Sequence, residues 1–129
     1  MSAKLVLIVE DNEKNRKLER DVLQYKGYAT QEATNAEDGI RMARERLPDL
    51  ILMDIQLPGI DGIEALGRLR GDPATCDIPV IAVTASAMKQ DRDRIMEAGF
   101  DDYQRKPLDI RDFVELVRRR IEAGRRRPA

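Results

Sequence analysis

Leu5-Val6-Leu7-Ile8-Val9 runs straight into Glu10-Asp11, and Leu50-Ile51-Leu52-Met53 runs straight into Asp54. Two further stretches repeat the arrangement: Val80-Ile81-Ala82-Val83 ends in Thr84, and a weaker segment around Tyr103 leads to Lys106-Pro107. Short Val/Ile/Leu runs without polar alternation read as strands buried on both faces, the habit of a parallel sheet. In an open α/β sheet the ligand crevice lies outside the carboxyl ends of the strands. Glu10, Asp11, Asp54, Thr84 and Lys106 are therefore expected to converge, although they are spread over nearly the whole chain. Three acids, a hydroxyl and an amine in one crevice outline a Mg²⁺-dependent phosphoryl-transfer site.

Helical signals fill the gaps between these runs. Leu18, Val22, Leu23 and Tyr25 recur at helical spacing until Gly27, a natural stop. Tyr28 to Ala33 is a short, polar strand. Asn35 is placed to cap a second helix with Ile40, Met42, Ala43 and Leu47 on its apolar side and Pro48 past its end. Pro58-Gly59 and Asp61-Gly62 make a turn-rich loop before a helix carrying Ile63, Leu66 and Leu69, which Gly71-Asp72-Pro73 breaks. Ile95, Met96 and Ala98 mark a fourth helix stopped by Gly99; Asp109 caps a fifth with the stripe Phe113, Leu116, Val117 and Ile121. Strict alternation of five strands and five helices predicts right-handed crossovers and a sheet covered on both faces.

At 129 residues, 42% of them hydrophobic and 36% charged, the chain suits one domain with a substantial core. A net charge of −1 selects neither nucleic acid nor anionic lipid. No apolar run approaches a membrane span, and the stretch after Lys4 is too short for a signal peptide, so the expected location is cytoplasmic. Cys76 stands alone and excludes an intramolecular disulfide or a cysteine zinc cluster. The absence of histidine excludes more: no Ser-His-Asp triad, no His-ligated metal, no phosphohistidine carrier. Any metal is bound by oxygen, pointing to Mg²⁺, Mn²⁺ or Ca²⁺, and any covalent phosphate sits on a carboxylate or hydroxyl.

Asp54 alone would read as a turn or capping aspartate. Glu10-Asp11 at a neighbouring strand end changes that, because crowded carboxylates repel unless a cation or protons neutralise them. Mg²⁺ suits such a site, taking one or two carboxylates plus waters and phosphate oxygens. Lys106 supplies a flexible point charge within reach of a transferred oxygen, and Pro107 restricts the backbone before it. Thr84 offers a hydroxyl to a second oxygen.

Taken in order, Leu7-Ile8-Val9-Glu10-Asp11-Asn12, Asp49-Leu50-Ile51-Leu52-Met53-Asp54 with Pro58 and Gly62, Val83-Thr84-Ala85 and Lys106-Pro107 resemble a response-regulator receiver domain. Ile55-Gln56-Leu57-Pro58 and Ala87-Met88-Lys89 are most similar to DivK-like single-domain regulators. The resemblance implies a flavodoxin-like (βα)5 fold with strand order 2-1-3-4-5, spanning residues 1–123, followed by a basic tail over 124–129. It implies Asp54 as phosphoacceptor; Mg²⁺ (or Mn²⁺) held by Asp11, Asp54 and the Gln56 carbonyl with help from Glu10; and Lys106 and Thr84 holding phosphoryl oxygens. Tyr103 matches the switch aromatic, Gln56 and Ser86 match positions that modulate phosphoryl lifetime, and the Lys106-Pro107 bond is expected to be cis.

The implied partners are a sensor histidine kinase or histidine phosphotransfer protein upstream and a protein target downstream. The target is met through the surface of the fourth helix, fifth strand and fifth helix, which also serves homodimers. Phosphoryl transfer of this kind relies on positioning and electrostatics. Arg118, Arg119, Arg120, Arg125, Arg126 and Arg127 form a basic cluster, read as a solvated face rather than a nucleic-acid site, since aromatic interleaving is lacking. No DNA binding is expected. Two alternatives remain: a receiver excised from a hybrid histidine kinase, and a haloacid-dehalogenase-type phosphatase. The latter needs a second Asp two residues after its nucleophile, where this chain has Gln56, and carries that nucleophile on the first strand.

Overall fold

A computed structural model describes residues 3–86 and 88–125 of the chain. Ten elements alternate: β1 (Leu5–Val9), α1 (Glu13–Tyr25), β2 (Ala29–Ala33), α2 (Ala36–Arg46), β3 (Leu50–Asp54), α3 (Gly62–Arg70), β4 (Val80–Thr84), α4 (Lys89–Ala98), β5 (Asp102–Arg105) and α5 (Ile110–Ala123). The strands form one sheet of order β2-β1-β3-β4-β5, and every pairing is parallel. This is the expected doubly wound, flavodoxin-type topology.

Successive strand residues point to opposite faces, and both faces are dry. Leu7, Val9, Ile51, Met53 and Ala82 pack with Leu66, Leu69, Ile95 and Phe100 on the side of α2, α3 and α4. Val6, Ile8, Leu52, Ile81 and Val83 pack with Leu23, Phe113, Leu116 and Val117 on the side of α1 and α5. Each fully buried Leu, Ile or Phe contributes about 1.5–3 kcal/mol. Two covered faces explain the unbroken apolar runs in β1, β3 and β4.

Caps at Asn35 and Asp109 are as expected: Asn35 Oδ1 accepts from Asp38 N at 2.8 Å and Asp109 Oδ1 from Asp112 N at 3.1 Å. Three helix faces differ from the sequence reading. In α1 the inward residues are Glu19 and Leu23, with Val22 half-buried, while Leu18 and Tyr25 are 37% and 85% exposed. The helix turns Leu23 and Val22 to the core, and Glu19 shares that face in place of Leu18. In α4 only Ile95 is buried; Met96 and Ala98 face outward. Leu47 lies past α2 in a left-handed cap conformation and is exposed.

Arg118 is paired with Glu115 and Glu122, Arg120 lies 3.5 Å from Asp102, and Arg125 donates to the Leu47 carbonyl at 3.0 Å. This part of the arginine cluster is therefore engaged within the fold. Arg126 and Arg127, and with them most of the expected tail, lie outside the described residues, as does Ala87.

Candidate functional site

Register brings the strand-end residues together. Val9 pairs with Met53, so Glu10 and Asp54 leave the sheet at one level; Asp54 pairs with Val83, and Thr84 with Arg105, so Thr84 and Lys106 stand just beyond. Parallel strands put all these ends on the same edge. One carboxylate oxygen from each of Glu10, Asp11 and Asp54 lies within 4.8 Å of the others. Glu10, Asp54 and Thr84 are buried, whereas Asp11 is exposed at the rim.

Lys106 is the counter-charge. Its Nζ donates to Asp54 Oδ2 at 3.1 Å and stands 2.7 Å from Glu10 Oε1, the latter an ion contact without hydrogen-bond alignment. Asp54 Oδ1 accepts from Gln56 N at 3.1 Å, and Glu10 Oε2 accepts from Asn12 N at 3.1 Å. Burial pushes the Glu10 carboxyl above its ordinary range and Asp54 adds to this, while Lys106 and the Asn12 N–H oppose it. Burial pulls the Lys106 ammonium down, but Glu10 and Asp54 outweigh it and hold Lys106 above its usual value. The site thus sets one protonated lysine against three clustered carboxyl groups. Such a set of hard oxygen donors fits a small divalent cation.

Gly62 lets the loop after β3 close over the end of that strand. A Cβ there would stand 2.6 Å from the Asp54 carbonyl oxygen and 2.9 Å from Ile55 Cα, both backbone atoms. Gly62 N donates to the Ile55 carbonyl at 3.0 Å in that close approach. Lys106-Pro107 is a cis peptide, as the resemblance implied.

Beside the acids lies a cleft of about 260 Å³ whose walls include Gln56, Thr84, Ser86 and Asp91. Thr84 Oγ1 accepts from Ser86 N at 3.1 Å, and Ser86 Oγ donates to the Asp91 carboxylate. Tyr103 is half-buried against the core on the α4 side, and its hydroxyl accepts from Arg92 Nη1 at 2.9 Å. All eight residues singled out from the sequence therefore lie on this edge of the sheet or on β5 beside it.

Asp91, Arg92 and Glu19 were not singled out. The first two sit in a helix start with nothing local to mark them. Glu19 left one trace, an acid inside a helical stripe.

The chain matches the response regulator receiver domain family over residues 6–118. The chain belongs to that family. It is 48% identical over 115 residues to the polar-differentiation response regulator DivK of Brucella anthropi, covering 89% of this chain and 94% of that protein. Among solved structures, this receiver is similar to a putative response regulator from Chloroflexus aurantiacus, with TM-score 0.90 and 30% identity over 94% of this chain and 99% of that one. It is also similar to the receiver domain of the Pseudomonas aeruginosa sensor histidine kinase PA1611, with TM-score 0.87 and 31% identity over 94% and 99% of the two chains. That domain carries a magnesium ion coordinated in its active-site cleft. As a receiver, the protein is a phosphoacceptor signalling module of two-component systems, with a histidine kinase upstream, rather than a turnover enzyme. Among the described residues, no helix is long and apolar enough to cross a membrane.

Proposed function

We propose that this receiver is a stand-alone, cytoplasmic, DivK-like response regulator whose phosphoacceptor is Asp54. One observation carries the assignment: Asp54 meets Lys106 at 3.1 Å while sharing a 4.8 Å cluster with Glu10 and Asp11. The donor is a phosphohistidine on a sensor kinase or histidine phosphotransfer protein. Its P–N bond breaks as a carboxylate oxygen of Asp54 forms the new P–O bond, and the imidazole leaves with the electron pair. Lys106 Nζ and Thr84 Oγ1 each hold a phosphoryl oxygen. When bound by Glu10, Asp11, Asp54 and the Gln56 carbonyl, Mg²⁺ or Mn²⁺ supplies the positive charge that offsets the crowded oxygens. Gln56 and Ser86, on the cleft wall, set how readily water reaches the acyl phosphate.

Tyr103 then turns inward as Thr84 moves to the phosphoryl group. The surface of α4, β5 and α5 changes for a downstream protein target or a second copy of the chain. Residues 1–123 form the receiver unit and 124–129 its basic tail. A receiver of a larger hybrid kinase is the second reading, favoured by the similarity to the Pseudomonas kinase receiver.

Intact mass after incubation with a small-molecule phosphodonor tests the assignment. A single adduct that needs Mg²⁺ and is absent from Asp54→Ala is expected. Donor turnover without an adduct would point to a phosphatase instead.

A further inference from the structure

Helix α4 is the least anchored of the five. Asn12, Asn35, Asp61 and Asp109 each accept a backbone N–H at the start of α1, α2, α3 and α5. At α4 the cap position holds Met88, which makes no side-chain cap bond. Lys89 and Arg92 place positive charge near a helix start, where the macrodipole disfavours it, and so offset the favourable charge of Asp91 in the same turn. The only buried residue of α4 is Ile95. A start without a side-chain cap and little burial make a locally weak element.

Two tertiary attachments compensate, and they come from consecutive residues. Asp91 accepts from Ser86 Oγ, which itself accepts from Met88 N at 3.3 Å, while Ser86 N donates to Thr84 Oγ1 at 3.1 Å. Arg92 Nη1 donates to Tyr103 Oη at 2.9 Å, with its guanidinium 5.8 Å from the ring centroid. Thr84 and Tyr103 are thus both tied to one turn of α4.

We propose that Asp91 and Arg92 are positioning residues that hold Thr84 and Tyr103 in the resting arrangement, making the start of α4 a two-pin latch on the acceptor site. The inference rests on the switch roles of Thr84 and Tyr103 proposed above. When Thr84 Oγ1 turns to a phosphoryl oxygen it leaves Ser86 N, and when Tyr103 turns inward its hydroxyl leaves Arg92. Bonds made in only one state bias the equilibrium toward that state by their own strength. One net hydrogen bond of ordinary worth shifts it about fivefold.

The test uses the whole chain with ¹³C-labelled tyrosine rings, and beryllium fluoride with Mg²⁺ as the phosphoryl stand-in. In Arg92→Met the Tyr103 resonance of the ligand-free protein is expected to move toward its position in the beryllium fluoride complex. That variant is also expected to bind beryllium fluoride about fivefold more tightly. Arg92→Lys, which keeps a donor, returns most of the wild-type behaviour and serves if the methionine variant unfolds. In a Tyr103→Phe background Arg92→Met adds nothing further. An unchanged Tyr103 resonance and affinity in Arg92→Met overturns the latch, as does an equal Arg92→Met effect without the tyrosine hydroxyl. Wild-type protein that fails to bind beryllium fluoride counts against Asp54 as acceptor, while the ligand-free tyrosine signal still reads the Arg92–Tyr103 bond.

Discussion

Lys106 Nζ and Asp54 Oδ2 meet at 3.1 Å across 52 positions of sequence, joining the loop after β5 to the end of β3. The same ammonium stands 2.7 Å from Glu10, so one cation serves two buried acids. Lys106→Met is expected to cut accumulation of the phosphoryl adduct at least tenfold, the scale of one lost charge-assisted bond at about 1.5–3 kcal/mol. Intact mass after a fixed exposure to phosphodonor measures it; accumulation equal to wild type would remove Lys106 from the chemistry.

Divalent cation affinity should move in opposite directions in two variants. Asp11→Ala removes a ligand oxygen from the cluster and weakens Mg²⁺ binding. Lys106→Met removes the competing positive charge and tightens it. Calorimetric titration with Mg²⁺ and Mn²⁺ reads both, and weakening in both variants would contradict the proposed electrostatics.

Glu19 is buried on the inward face of α1, and its Oε2 has no hydrogen-bond partner. Burial, then the charge of Glu10, pushes its carboxyl from 4.5 to about 8, with Lys106 opposing and Asp54 adding a little. Between those values the folded chain holds a proton that the unfolded chain has released. Stability therefore falls as pH rises from 4.5 toward 8, by up to about 1.4 kcal/mol per pH unit from this group. Glu19→Gln should flatten that slope in urea unfolding at pH 6, 7 and 8. A slope unchanged by the substitution would mean that Glu19 is ionised in the fold.

Gly62→Ala places a Cβ against the Asp54 carbonyl oxygen and Ile55 Cα, neither of which can swing aside. Overpacking of this kind costs about 1–3 kcal/mol, and relieving it displaces Asp54. Thermal unfolding should show the loss, and the initial rate of adduct formation should fall with it. Loss of stability with an unchanged rate would show that the acceptor tolerates the shift.

Arg70 ties α3 to the far edge of the sheet, donating to the Ile78 carbonyl at 2.7 Å and to Asp101 Oδ2 at 3.0 Å. Asp101 in turn accepts from Val80 N at 2.7 Å. Arg70→Met should destabilise the fold by about 1.5–3 kcal/mol, since it removes the charge-assisted bonds to the Ile78 carbonyl and to Asp101. The adduct formed by the surviving folded fraction should be unaffected, because the clasp lies at the opposite end of the strands.

The strand ends were legible because a sheet covered on both faces leaves uninterrupted apolar runs, and the polar residue that ends each run marks the exposed edge. The run ends mark Asp54 and Thr84 only as candidates, and their weight comes from standing with Glu10, Asp11 and Lys106. Side-chain direction on the helices was less legible. Glu19 turns inward because Leu23 and Val22 set the rotation of α1, and a polar residue carried into the core adds no apolar signal. Arg92 finds Tyr103 only once α4 lies beside β5, a relationship between elements that neither segment encodes separately. Asp91 is five residues from Ser86 and marked by nothing but its place near a helix start.

Contributions to the acceptor site come from the ends of β1, β3 and β4 and from the turn after β5, so no shorter run of chain can assemble it. Neighbouring strands are joined only through one or two intervening helices, so every pairing in the sheet is long-range and slow to close. A chain that ends before residue 106 lacks the lysine that faces Glu10 and Asp54. A late segment of the chain therefore supplies the counter-charge to acids laid down in its first half.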